Sequence, residues 1–359
     1  MHTFFYSVLH FLTDGICAFA LYARFAGSEQ FSLLILWYDF CAFVLQMPAG
    51  AFMDYLKAKR PGKAGRLPYL CALSGAVITI AGAFLHPVIL GIGNALFHVG
   101  GGIGTIEEDR QKNKKGAALG IFVAPGAMGL YLGIFFGKDV RLPGLQLLLA
   151  LSAVYLLLFL LFGILSGRKD KVLPDANPVT AGKSARSVLS QSSPSAASAA
   201  AALCFLVVLL RSYAGFSVSF SWKEGFLWGF LATSAVVLGK MVGGILAARF
   251  GTEKVMIGSL CAAALCYLFS ASPAAGLAAL FCFNMTMPVT LYMIADRFRG
   301  LEGFSFGLLT VALFLGALPT FSGRPFFPGH LLGAAVSLLS LILLLAASGL
   351  LKKENAWRS

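Results

Sequence analysis

The 359-residue chain is 58% hydrophobic and 12% charged, against roughly 45–50% and 25% in soluble domains. A soluble protein of this length could not hide so much apolar surface, so the composition points to lipid as the solvent. The net charge of +13 does not indicate nucleic acid, because the basic residues sit in short loops between apolar runs and form no stripe with interleaved aromatics.

A helix needs about 20 apolar residues to cross the hydrocarbon core. Twelve stretches qualify, near 3–25, 30–53, 67–85, 87–105, 117–137, 143–165, 199–220, 225–248, 255–271, 274–294, 303–321 and 328–351. The first lacks a basic leader and a nearby small-residue cleavage site, and reads as a retained helix. Between the sixth and seventh, residues 166–198 hold Gly167, Pro174, Pro178, Gly182, Pro194 and many serines, the composition of a flexible loop. The expected fold is therefore an all-α membrane protein of two pseudo-symmetric six-helix bundles. These cover 1–165 and 199–359, joined by a cytoplasmic linker over 166–198. The seven cysteines all lie inside apolar segments without zinc-type or disulfide spacing, and read as small core hydrophobes.

Of the 28 Lys and Arg, 21 fall in one set of alternating loops and five in the other; Arg211 and Lys240 lie within helices. Such a bias places both termini in the cytoplasm and requires an even number of spans. The halves also repeat. Asn94-Ala95-Leu96-Phe97-His98-Val99 in the fourth helix matches Asn284-Met285-Thr286-Met287-Pro288-Val289 in the tenth. Gly116 and Gly120 match Gly303 and Gly307, at offsets of 190 and 187 residues. Internal repeats are common in secondary transporters, whose sites lie at the repeat interface.

With these features the chain resembles the major facilitator superfamily over essentially its whole length. The family's loop after helix two appears as Gly50, Asp54, Lys57, Lys59 and Arg60, without the later glycine. Its counterpart after helix eight runs Gly244-Ile245-Leu246-Ala247-Ala248-Arg249, with Ala248 where aspartate is usual. The resemblance implies gating roles for Gly50, Asp54, Gly244 and Arg249. Helix five carries Gly120-Ile121-Phe122-Val123-Ala124-Pro125-Gly126-Ala127-Met128-Gly129. It looks like the family's glycine–proline motif of antiporters, with Ala124 and Met128 in place of glycines. A finer resemblance is to fosmidomycin-resistance-type exporters, through His10–Asp14 in helix one and Phe97-His98 in helix four. The residues that follow, Val99-Gly100-Gly101-Gly102, depart from that group, so its substrate is not carried over.

Ionisable side chains at membrane depth are costly, about 2.5–3.5 kcal/mol on insertion scales, and mark cavities, partners or tasks. Asp14 and Arg211 each lie about eleven residues into their helices, roughly 16 Å deep at 1.5 Å per residue. They suit either a central ion pair or a substrate clamp, with the Arg211 fork matched to an anionic group. His10 lies one turn from Asp14 on the same face, and His98 lies in a helix that lines the cavity by resemblance; both could relay protons. Asp14, His10 and Asp39 are the proton-coupling candidates. Arg211, Asn94, Asn284 and His98 are the substrate candidates, the asparagines serving either substrate or helix packing. Lys240 reads as a snorkelling structural residue, and Glu107, Glu108 and Asp109 as solvated loop charges. Two imidazoles and a carboxylate also allow a transition-metal reading, although no resident metal or cofactor is expected. No ATP-binding loop is present, because Gly100-Gly101-Gly102-Ile103-Gly104 lacks the lysine and hydroxyl such a loop needs.

The expectation is a monomeric secondary transporter of a small organic solute in the cell's inner membrane. It is driven by protons and works by alternating access, with export by antiport favoured over import of an anion. Transport of a transition metal is a further alternative, and a lipid-directed intramembrane enzyme or a receptor that reuses the fold are the readings from other classes.

Overall fold

The computed structural model describes residues 2–139, 143–167, 194–322 and 329–356. Among them the chain forms twelve helical passes: α1 His2–Phe25, α2 Phe31–Lys59, α3 Leu67–Leu85, α4 Pro87–Gln111, α5 Ala117–Gly137, α6 Gly144–Gly167, α7 Pro194–Ser217, α8 Gly225–Phe250, α9 Thr252–Leu268, α10 Pro273–Arg297, α11 Glu302–Phe321 and α12 Gly329–Ala356. Eleven are long and apolar enough to cross a bilayer. The remaining pass, α9, has 17 residues, which at about 1.5 Å per residue reach roughly 25 Å, slightly less than a full hydrocarbon core. Most of the predicted 166–198 loop lies outside the described residues, but both neighbours intrude on it. α6 continues to Gly167, and α7 starts at Pro194, where the fixed φ of proline suits a first helical turn.

Glycine-lined faces bring the helices together. A Cβ on Gly129 of α5 would lie 2.1 Å from the Phe11 carbonyl of α1, and one on Gly93 of α4 would lie 2.2 Å from the Thr79 nitrogen of α3. In lipid, where apolar burial drives little association, such backbone contact is what holds helices. Large aromatics fill the remaining interior of the first half: Phe97, Phe122, Tyr155, Phe159 and Phe162 are all essentially buried. The outward faces stay apolar, as Leu145, Leu149, Leu157, Leu160 and Ile164 of α6 show. All seven cysteines are free thiols within helices.

The two halves meet along two symmetric seams. Gly50 of α2 packs on Gly303 of α11, where a Cβ would meet the Gly303 carbonyl at 2.1 Å. Gly120 of α5 packs on Gly244 of α8, where a Cβ would lie 3.1 Å from the Gly244 Cα. Three helices that line these seams are irregular. α2 passes through a π turn over Phe40–Val44, just ahead of Pro48, whose ring displaces the helical hydrogen bond. α5 is broken at Ala124, ahead of Pro125. α10 is broken between Asn284 and Met287, ahead of Pro288.

Candidate functional site

The spacing of His10 and Asp14 puts both on one face of α1, and the spacing of Asn94 and His98 does the same on α4. The two faces meet. His10 Nε2 lies 2.8 Å from His98 Nε2 and 3.1 Å from Asp14 Oδ2, and His98 Nε2 lies 3.7 Å from Asp14 Oδ1. Asn94 donates to the same carboxylate at 3.1 Å and to the Tyr38 hydroxyl at 3.2 Å. The cluster is shielded, with side-chain exposures of 8% for His10, 11% for His98 and 21% for Asp14. Phe97 and Phe122 pack beside the His10 ring.

Backbone carbonyls fix the state of both rings. His10 Nδ1 donates to the Phe122 carbonyl at 2.8 Å, and His98 Nδ1 donates to the Asn94 carbonyl at 2.9 Å. A carbonyl only accepts, so each Nδ1 carries a hydrogen, and in a neutral ring that leaves Nε2 with a bare lone pair. Two such lone pairs 2.8 Å apart repel. A cation between them removes the repulsion, and Asp14 supplies its counter-charge. The group therefore has room and chemistry for one added positive charge.

The break in α5 organises this region. Pro125 has no N–H to offer the Ile121 carbonyl; Ser7 Oγ lies 3.1 Å from it and shares its one hydrogen between that carbonyl and the nearer Thr3 carbonyl at 2.7 Å. The next carbonyl, of Phe122, takes His10, and the one after it, of Val123, takes Lys240 Nζ at 3.4 Å. Three successive carbonyls at the kink thus hold two residues of α1 and one of α8. Gly126, one residue past the proline, leaves space for the cluster: a Cβ there would lie 2.2 Å from His10 Nε2 and 2.4 Å from Asp14 Oδ2.

The other candidates fall elsewhere. Arg211 is 7% exposed on α7, turned inward. Of the two readings for Arg211, the ion pair with Asp14 is not formed, and Arg211 Nη1 is buried without a hydrogen-bond partner among the described residues. Lys240 does not snorkel to an interface but reaches inward to the Val123 carbonyl of α5. Asn94 is spent on positioning Asp14, and Asn284 donates to its own helix at the Leu280 carbonyl, 2.9 Å away. Asp39 is half-buried where α2 enters its π turn and makes none of the cluster's contacts.

At the end carrying most basic loops, hereafter the basic end, the seam between halves is locked by charge. Asp54 on α2 accepts from the Gly303 and Phe304 amides at 2.9 and 2.8 Å, so it caps the first turn of α11 from the other half. Lys57 bridges Glu107 at 2.6 Å and Glu302 at 3.3 Å, and Arg110 reaches Glu302 at 2.5 Å and the Ala295 carbonyl at 2.9 Å. Glu107, Glu108 and Asp109 are not solvated loop charges. They end α4, and Asp109 caps α5 through the Gly116 and Ala118 amides at 2.8 and 2.9 Å, with Gly116 at φ +95. Glu108 binds Thr3 and pairs with Lys112. Arg249 is exposed, lies over Phe250 and takes no part in this lock. A cleft of about 310 Å³ opens beside the lock, lined in part by Asp109, Arg110, Tyr292 and Arg299. At the opposite end the halves touch through aromatics, with Tyr131 donating to the Phe226 carbonyl at 2.7 Å and Phe40 edge-on to Phe314.

By sequence, the chain matches no family model and no curated protein. By structure it is similar to the fucose:proton symporter FucP of E. coli, with TM-score 0.63 and 15% identity over 97% of both chains. A second FucP structure, in the outward conformation, superposes with TM-score 0.59 and 14% identity over 95% of this chain and 98% of that one. The human organic anion transporter MFSD10 gives 0.62 and 15% over 96% and 99%. At such identities the likeness speaks for architecture. The chain has the twelve-helix fold of major facilitator superfamily transporters.

Proposed function

We propose that the protein is a proton-coupled secondary transporter of a small organic solute, working by alternating access as a single chain in the cell's inner membrane with both termini cytoplasmic. The 1–165 and 199–359 bundles are the moving halves. The observation that carries this reading is the His10–His98 contact at 2.8 Å, with both Nδ1 atoms committed to carbonyls and Asp14 alongside. One proton bound at an Nε2 turns a repulsive pair into an N–H···N bond whose charge Asp14 balances. A buried site that takes up one proton, tied to the kink of α5, is what a proton-driven carrier needs. Its neighbours in fold include a proton symporter and an anion transporter, so the fold does not set direction. The α5 motif and the resemblance of His10–Asp14 and Phe97-His98 to fosmidomycin-resistance-type exporters favour export by antiport.

The test uses proteoliposomes loaded with a pH-sensitive dye and a panel of small organic solutes. Solutes that move protons in wild-type vesicles should fail to do so with Asp14→Asn, while solute-for-solute counterflow persists. Equal loss of proton flux and counterflow would remove Asp14 from coupling.

One observation favours a second reading. His10, Asp14 and His98 offer three ligand atoms within 4.8 Å of one another, which is also the donor set of a divalent metal site. Against it, two nitrogens at about 2.0–2.1 Å from one tetrahedral ion stand roughly 3.3 Å apart, wider than the pair here. Cobalt(II) titration decides: visible d–d bands that vanish in His98→Ala would establish a metal instead of a proton.

A further inference from the structure

We propose that Arg211 and Lys240 together form a binding site for a small anion bearing a carboxylate or phosphoryl group, and that this anion is the transported solute. The second clause rests on the transport reading above; the first does not. Arg211 is buried to 7% exposure with Nη1 unpartnered among the described residues. A guanidinium cannot escape burial by losing its proton, so it needs a counter-charge, and no ion pair among the described residues supplies one. Lys240 on α8 is a second cation at membrane depth that turns inward, and its one anchor among the described residues is the Val123 carbonyl, weakly held at 3.4 Å.

The charge inventory of the interior points the same way. Asp14, the acid of the central cluster, is already engaged by His10, His98 and Asn94. Its single charge could balance at most one of the two cations on α7 and α8, and neither once the histidine pair holds a proton; among the described residues no ion pair is formed by either cation. Two like charges at membrane depth are kept only where something negative visits or water enters. A metal ion or an organic cation would add to the repulsion, and a neutral sugar would leave it in place. A carboxylate or phosphoryl group answers it, because its paired oxygens fit the Arg211 fork and Lys240 supplies a point charge beside them. Seating the anion would draw Lys240 away from Val123, on the carbonyl adjoining the one that holds His10.

The experiment is thermal unfolding of the purified full-length protein at fixed ionic strength and pH. The probes are inorganic phosphate, methylphosphonate, propionate and malonate, with propionamide and propylamine as uncharged and cationic controls. At least one anion should raise the melting temperature, and neither control should. Arg211→Lys, which keeps the charge but loses the fork, should weaken that anion about tenfold or more. Arg211→Met should abolish the anion effect while the ligand-free melting temperature holds or rises, since an unpaired buried charge has been removed. A structural arginine gives the reverse, a lower ligand-free melting temperature with the anion effect retained, and that result overturns the site. So does an absence of anion stabilisation across the panel. This equilibrium reading needs no proton gradient, so it can stand if proton coupling fails, and it can fail while Asp14-dependent proton flux survives.

Discussion

A histidine whose Nδ1 is committed to a carbonyl has one nitrogen left to work with, and here two such nitrogens face each other. That arrangement is sensitive to tenths of an ångström, and Gly126 sets the clearance. A methyl group at 126 would fall 2.2 Å from His10 Nε2 and 2.4 Å from Asp14 Oδ2, so Gly126→Ala must push the ring and the carboxylate apart. Overpacking of this kind costs about 1–3 kcal/mol, too little to unfold a twelve-helix protein. The expected outcome is a folded variant with impaired proton flux and intact anion stabilisation. Unchanged proton flux in Gly126→Ala would show that the cluster tolerates spreading and does not hold a shared proton. The pairing of His10 with Asp14 was open to sequence reading, because i and i+4 share a helix face whatever surrounds them. The true surroundings of Arg211 were not. Depth along a helix says that a charge is buried; it does not say which way the helix turns it.

At the scale of elements, α5 is the piece on which everything converges. Its kink is made by one residue, and the carbonyls exposed there are held by Ser7, His10 and Lys240. The first two belong to the first half of the chain and the third to the second half. A change in the charge of His10 or in the position of Lys240 is thus felt at neighbouring peptide groups of one helix. Pro125→Ala restores an N–H that can bond Ile121, and it removes an interior-proline penalty of up to about 3 kcal/mol. The variant should therefore melt at a higher temperature while solute counterflow falls. A variant both more stable and fully active would mean that the kink is incidental. Lys240 illustrates why this was hard to anticipate. A lysine in the inner part of a membrane helix can snorkel outward or reach inward with equal ease, and only the acceptor that α5 leaves open across the seam selects the second course.

For the whole molecule, the hydropathy pattern and the four-to-one bias of loop charges were enough to lay out twelve passes. Only α9 is short, and the ends of α6 and α7 reach beyond the predicted linker boundaries. The lock at the basic end was only half legible. Gly50 and Asp54 stood out as a motif. Glu107, which helps complete the lock, read as a solvated loop charge, and its partners Arg110 and Glu302 carried no motif, because a sequence does not show that another lobe covers a loop. An alternating-access cycle requires this lock to break. It is built from contacts that suit that requirement: a helix cap of about 0.5–2 kcal/mol, charge pairs on the buried Glu302 that water can take over once the seam parts, and glycine-to-glycine backbone contact with no side chain interdigitated.

The glycine contact is the part that cannot adjust, so it gives the sharpest test. Gly50→Ala would place a methyl 2.1 Å from the Gly303 carbonyl, backbone against side chain, and α2 and α11 would have to separate. Loss of even about 1.4 kcal/mol of closure changes the open-to-closed ratio tenfold. A cysteine at Ile106, 3% exposed in the cleft beside the lock, can report this when the seven native cysteines are replaced by alanine. In inside-out vesicles its labelling by an impermeant maleimide should rise about tenfold in Gly50→Ala, and by a smaller factor in Asp54→Asn, which weakens the cap but leaves the helices free to meet. Labelling that is equal in all three proteins would mean that the seam at the basic end does not open around Gly50. The halves would then have to exchange access by a movement other than separation of α2 from α11.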